Sequence, residues 1–185
     1  MQGKYKVITL CGSTKFKDEF FAEQKRLSLE GNIVISVGLF GHAGDDEVWT
    51  GDKKAMLDDM HKSKIDMSDE IFVIDKGGYV GTSTRSEIEH AIRTGKGVKF
   101  MEPLTCQSCG MPMTSVDVLA VNADGSHDLD YCKYCVKDGK FIDDVDMHTY
   151  IDMCSQFGAQ AGMTNDEMRA YCTKLFPNLK RWKQS

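Results

Sequence analysis

The chain has little proline, with three residues in 185, and no apolar run near the roughly 20 residues that span a bilayer. It also lacks a GxxxxGK[ST] phosphate loop and a complete GxGxxG motif. ATP hydrolysis and hydride transfer therefore have no support in the sequence. The apolar stretch Val7–Leu10, preceded by Lys4 and Lys6, is too short for the core of a signal peptide. We expect a cytoplasmic protein without a membrane partner.

Positive charge is in deficit throughout. The formal net charge is −5, with 15 basic and 17 acidic groups in residues 1–103 and 8 and 11 in residues 104–185. Proteins that bind nucleic acid usually carry a basic surplus, so nucleic acid is not an expected partner. Lys180, Arg181 and Lys183 form a short basic run, which we interpret as a solvated tail.

The first 103 residues alternate between strand-like and helix-like patterns. Strands are predicted at 5–10, 33–37, 70–75 and 97–101, and helices at 17–29, 53–67 and 83–94. Parallel strands need crossover connections, and helices supply them. We therefore predict an α/β domain over residues 1–103, a small doubly wound, Rossmann-like parallel sheet with helices on both faces.

Glycine-rich segments follow the first three predicted strands, where ligands of doubly wound sheets bind. Small and hydroxyl residues in these segments are suited to bind a phosphate or sugar hydroxyls. The guanidinium group of Arg85 matches the geometry of a phosphate. His42 is the one histidine that is placed to touch a ligand. Helix capping and an exposed loop histidine are the alternatives. The candidate substrate-binding residues are Gly12, Ser13, Thr14, His42, Gly81, Thr82, Ser83 and Arg85.

Aromatic residues of the same loops are candidates for stacking on a base. They are Phe40, Trp49 and Tyr79, and anchoring of the loops by hydrophobic contacts is the alternative.

Two carboxylates are candidates for catalysis. Glu87 lies early in the helix after the third glycine-rich loop, with Ala91 and Gly95 as small neighbours one and two turns on. Asp75 ends the third strand. Two carboxylates in one pocket suit glycosyl transfer, in which one attacks the anomeric carbon and the other handles protons or holds a hydroxyl. The alternative for Asp75 is a residue that caps the loop.

After residue 103 the strand–helix alternation stops and two cysteine pairs appear. Cys106-x2-Cys109 and Cys132-x2-Cys135 are separated by 22 residues, which suits two zinc knuckles. A closed four-thiolate shell leaves no open position, so we predict a structural zinc. Residues 104–185 are then a zinc ribbon domain with two C-terminal helices near 143–157 and 164–176.

The segment 7–101 resembles the nucleoside 2-deoxyribosyltransferase-like family, which includes nucleotide N-glycosidases. The resemblance lies in LCGST, in SDEIFVID and in GTSTRSEIEHAIRTGK. It implies cleavage of an N-glycosidic bond through a covalent glycosyl-enzyme, with Glu87 as the nucleophile and Asp75 near the place of a strand-end aspartate. It also implies a homodimer, because active sites of this family are often completed by a neighbouring subunit.

Two further resemblances keep alternatives open. The segment GGYVGT is similar to the glycine-rich element of phosphoribohydrolases that release cytokinin-type bases. The segments CQSCGMPM, DYCKYCVKDGKF and LFPNLKRW resemble an uncharacterised zinc-ribbon family, which implies a fold and no activity. We predict cleavage of a nucleoside or nucleoside 5′-monophosphate by hydrolysis or deoxyribosyl transfer. A non-catalytic nucleotide-sensing module, with the ribbon as a partner-binding surface, is the alternative.

Overall fold

The computed structural model describes residues 4–44 and 51–183. The chain divides into two compact units, residues 1–102 and 103–185. The elements of the first unit are β1 (Val7–Gly12), α1 (Lys17–Leu29), β2 (Ile33–Ile35), α2 (Gly51–Asp66), β3 (Glu70–Ile74), α3 (Thr82–Arg93) and β4 (Gly97–Phe100). The prediction of a doubly wound parallel sheet is confirmed.

The four strands of this unit are parallel and lie in the order β2-β1-β3-β4. β2 lies on one side of β1, whereas β3 and β4 lie on its other side. The switch in direction lies between β1 and β3, whose carboxyl ends separate to leave a crevice. The fold thus places the loops after these strands around one opening.

The sheet buries side chains on both faces because neighbouring residues of a strand point in opposite directions. Ile8 and Leu10 of β1 pack with Phe20 and Leu27 of α1. Cys11, which alternates with them along β1, is also fully buried and lies on the face covered by α2 and α3. All five residues of β3 are buried, as expected for a central strand.

The segment after β2 contains a short 3-10 turn at Gly41–Ala43, and α2 begins at Gly51, two residues before the predicted start of this helix. Its Phe40 is 6% exposed and packs on Phe20 and Phe21. Phe40 is therefore a hydrophobic anchor of the segment and not a platform for a base. Trp49, the other aromatic candidate of this segment, lies outside the described residues.

The second unit consists of short antiparallel hairpins followed by helices. The hairpins are β5 (Leu104–Thr105) with β6 (Pro112–Met113), β7 (Leu119–Val121) with β8 (His127–Cys132), and β9 (Val136–Lys137) with β10 (Lys140–Phe141); the helices are α4 (Met147–Ser155) and α5 (Asn165–Leu175). Thr164 and Glu167 form a capping box at the start of α5.

Among the described residues, no helix is long and apolar enough to cross a membrane.

Candidate functional site

A cavity of about 280 Å³ opens at the carboxyl ends of β1 and β2 and beside the start of α3. This volume is close to the lower end of ordinary small-molecule sites, roughly 300 to 1,000 Å³. The lining residues are Gly12, Ser13, Thr14, Val37, Gly38, Leu39, Gly41, His42, Lys54, Leu57, Asp58, Met60, His61, Lys64, Tyr79, Gly81, Thr82, Ser83 and Glu87. Seven predicted binding residues and the predicted nucleophile are thus brought to one site.

The turn after β1 requires glycine at position 12. Gly12 has a φ of +149°, and a Cβ built on it would lie 2.7 Å from the carbonyl oxygen of Ile74 on the neighbouring strand. Because glycine has no Cβ, β1 and β3 can approach closely at this position, just before they part. Ser13 and Thr14, which follow Gly12 directly, form part of the cavity wall.

The amino terminus of α3 forms another part of the wall. Gly81 precedes the helix in an extended conformation and provides no side-chain cap, and Thr82 and Ser83 occupy the first turn. The unpaired N–H groups of a helix start, together with the helix dipole, favour an anion. The cavity therefore has a backbone site suited to a phosphate or a sugar hydroxyl.

Glu87 follows one turn later and reaches the cavity from α3. Its side chain is 13% exposed, and its Oε2 atom has no hydrogen-bond partner among the residues that the structure describes. Burial raises the pKa of Glu87 to about 8. A carboxyl group that is held away from water and left incompletely paired is typical of a functional site.

Two residues that the sequence interpretation did not select surround this carboxyl group. Cys11 Sγ lies 3.5 Å from His61 Nε2, and His61 Nε2 lies 3.9 Å from Glu87 Oε2. Burial lowers the pKa of His61 to about 4 and raises the pKa of the Cys11 thiol well above its usual range. The expectation that His42 alone was placed to touch a ligand is therefore wrong, because α2 turns His61 into the same cavity.

His42 does line the cavity, on the side of the β1–α1 turn. Its Nδ1 atom lies 2.8 Å from Thr14 Oγ1, and its backbone N–H donates to the same oxygen at 3.3 Å. These contacts join the loop after β2 to the loop after β1. Tyr79 lies at another edge of the cavity, 47% exposed, with the Lys15 ammonium 3.2 Å from its ring centroid.

The second predicted carboxylate does not reach the cavity. Asp75 is fully buried beyond β3, and its Oδ1 accepts the backbone N–H of Glu102 at 3.0 Å. Burial raises its pKa. The prediction that Asp75 shares a pocket with Glu87 is therefore wrong: Asp75 holds the end of β3 to the chain that leaves β4. Its side chain does not cap the turn that follows β3, so the capping alternative is not confirmed either.

Arg85 also lies apart from the cavity. It occupies α3 two residues before Glu87, is exposed, and is not one of the lining residues. A helix turns about 100° per residue, so position 85 points away from the face that carries Glu87. The cations of the lining are instead Lys54, whose ammonium lies 2.6 Å from Asp58 Oδ2, and Lys64, which donates to the carbonyl of Ser36 at 2.9 Å. Periodicity within α2 gave no signal that these residues face a ligand.

The four ribbon cysteines converge in the second unit. Their sulfur atoms lie within 4.8 Å of one another, with 3.4 Å between Cys132 and Cys135, 3.7 Å between Cys106 and Cys135, and 3.9 Å between Cys109 and Cys132. A tetrahedral zinc with bonds of about 2.3 Å needs sulfur atoms about 3.8 Å apart. The donor set and its spacing fit a structural zinc, and that prediction is confirmed.

Hydrogen-bonding groups around the four cysteines orient their sulfur atoms. The backbone N–H of Cys132 donates to Cys106 Sγ at 3.3 Å, and the Tyr150 hydroxyl lies 3.1 Å from Cys135 Sγ, placed to donate to a thiolate. Such contacts are usual around metal ligands.

The basic run near the end of the chain is not a solvated tail. Arg181 donates to Ser108 Oγ at 2.9 Å, and Trp182 Nε1 donates to the carbonyl of Ser108 at 2.8 Å. Lys180 pairs with Asp130 at 2.7 Å. Arg181 and Trp182 thus hold the chain end against the first zinc knuckle, and Lys180 and Lys183 are the exposed residues of the run.

Residues 105–183 match the family model Zn_ribbon_2, described as "Putative zinc ribbon domain". This part of the chain is a zinc ribbon domain. The chain is also similar to the solved structure of a 2-deoxyribosyltransferase from the psychrotolerant bacterium Bacillus psychrosaccharolyticus, with 17% sequence identity and a TM-score of 0.39 over 51% of this chain and 70% of that one. No curated protein matches the chain.

Proposed function

We propose that the α/β domain cleaves the N-glycosidic bond of a nucleoside or nucleoside 5′-monophosphate, with Glu87 as the nucleophile. The observation that carries the proposal is the buried carboxyl group of Glu87 on the wall of the cavity, between the β1 turn and the start of α3. The resemblance of residues 81–96 to the glycine loop and nucleophile helix of N-glycosidases supports the same role for Glu87.

The chemistry requires an ionised Glu87. Its oxygen attacks C1′ of the sugar and forms a C1′–O ester bond while the C1′–N bond breaks, and the electron pair of that bond leaves with the base. Water or an N–H group of a second base then displaces Glu87 from C1′ and restores the carboxylate, and the proton that it gives up balances the one taken up by the departed base. In this proposal the N–H groups at the start of α3, with Ser83, hold the 5′ end of the sugar.

Release of free base tests the proposal. The full chain is incubated with a panel of nucleosides and 5′-monophosphates, and the products are separated by chromatography. We expect one or more substrates to lose their base, and Glu87→Gln to reduce the rate by about 10³-fold or more. Glu89→Gln, on the same helix but outside the cavity lining, is the matched control and should retain activity.

The covalent intermediate gives a second readout. Rapid quenching followed by mass spectrometry should find a glycosyl adduct on the peptide that contains Glu87. Base release that survives Glu87→Gln contradicts the assignment of the nucleophile. A nucleotide that stabilises the chain thermally but stays intact supports the nucleotide-sensing alternative.

A further inference from the structure

A second cluster of metal-binding side chains lies in the α/β domain, apart from the four ribbon cysteines. Cys11, His61 and Glu87 each offer one donor atom, and the three donors lie within 4.8 Å of one another. We propose that these residues form a second zinc site, with a fourth coordination position open to the cavity.

The distances already approach those of a coordinated ion. Zinc bonds of about 2.0 to 2.3 Å in a tetrahedron require donor atoms about 3.3 to 3.8 Å apart. Cys11 Sγ and His61 Nε2 are separated by 3.5 Å, and His61 Nε2 and Glu87 Oε2 by 3.9 Å. The third pair of donors, on Cys11 and Glu87, also lies within 4.8 Å.

The unpartnered carboxyl oxygen of Glu87 is suited to bind a cation. Glu87 Oε2 is inaccessible to solvent and accepts no hydrogen bond within residues 4–44 and 51–183. Leaving a buried polar atom unpaired lowers stability, and a metal ion satisfies such an atom. The two lysines of the cavity lining are engaged elsewhere, Lys54 with Asp58 and Lys64 with the carbonyl of Ser36.

The charges of the donor set suit a dication in a buried place. Coordination of Zn²⁺ releases one proton from the Cys11 thiol and one from the Glu87 carboxyl group, whereas neutral His61 binds through a lone pair. The dication, one thiolate and one carboxylate sum to zero charge. An isolated thiolate or carboxylate at the same depth bears the full desolvation cost, which the ion offsets.

The ligands also come from rigid elements: Cys11 from β1, His61 from α2 and Glu87 from α3. Three protein ligands beside a cavity are typical of a zinc site with an open position, in contrast to the closed shell of the ribbon. The effect of bound zinc on base release rests on the proposed function. An ion at this site uses the carboxylate that attacks C1′, so bound zinc inhibits base release.

The number of zinc ions per chain tests the site without reference to activity. The full chain is equilibrated with excess Zn²⁺, passed through a desalting column and analysed for metal by plasma mass spectrometry. We expect two ions per chain for the unaltered protein and one for His61→Ala, His61→Gln and Cys11→Ser. His148→Ala, a change at a histidine that is 85% exposed, is the matched control and should retain two.

Folding of each variant is followed by circular dichroism. His61→Gln keeps the size of the side chain, so loss of the second ion in that variant is not a consequence of an unfilled core. One ion in the unaltered chain overturns the proposal, and so do two ions in the folded His61 and Cys11 variants. Two ions, together with no base release from any substrate even after a chelator has removed the second ion, leave the metal site standing and contradict the proposed function alone.

Discussion

Replacing Glu87 by Gln should change how the stability of the α/β domain depends on pH. The substitution removes an ionisable group and keeps its size. In the folded chain burial raises the pKa of Glu87 from its usual 4.5 to about 8. Between these two values the folded state retains a proton that the unfolded chain has lost. The free energy of unfolding of the unaltered protein therefore falls as pH rises through this range, and the Gln variant is free of this contribution.

The magnitude follows from the size of the shift. Each pH unit within the range lowers the stability of the unaltered protein by about 1.4 kcal/mol relative to the variant. From pH 5 to pH 7 the difference between the two proteins should change by about 2 to 3 kcal/mol. Other buried acids, such as Asp75, are present in both proteins and cancel in the comparison.

Urea unfolding, followed by circular dichroism in buffer without added zinc, measures this difference. The measurement is made with a chelator present, which unfolds the ribbon and empties the second zinc site, so that the remaining transition belongs to the zinc-free α/β domain. Glu89→Gln should give a profile parallel to that of the unaltered chain. A difference between the Glu87→Gln and unaltered proteins that stays constant within about 0.5 kcal/mol from pH 5 to pH 7 refutes the reasoning.

Three further predictions concern turnover, the close approach of two strands and the ribbon. Because only ionised Glu87 attacks, kcat/KM for base release should rise about tenfold from pH 7 to pH 9 and then level off, and a flat profile contradicts this. Gly12→Ala places a Cβ 2.7 Å from the Ile74 carbonyl oxygen and should lower stability by about 2 kcal/mol or more in thermal unfolding. Gly31→Ala, also at positive φ but in open space, should cost about 1 kcal/mol. Cys109→Ser or a strong chelator should unfold residues 103–185, which is measured as loss of protection from amide hydrogen exchange in that unit. Protection that persists contradicts a structural zinc.

The zinc ribbon could be predicted almost completely because its chemistry is local. Each C-x2-C pair forms a single turn, and the two-residue spacing alone brings two sulfur atoms to one ion. The docking of the chain end could not be predicted in this way. Arg181 and Trp182 contact Ser108 more than 70 residues earlier in the sequence, and no local pattern encodes that contact.

The candidate active site shows the same division. The sequence by itself determined the strand–helix alternation, and with it the edge of the sheet at which the glycine-rich loops and Glu87 gather, because carboxyl ends of parallel strands share one edge. Only the tertiary structure decided which side chains face one another there. It brought Cys11 and His61 to Glu87, since three separate elements must pack before their donors meet, and it turned Asp75 into a buried hydrogen-bond acceptor.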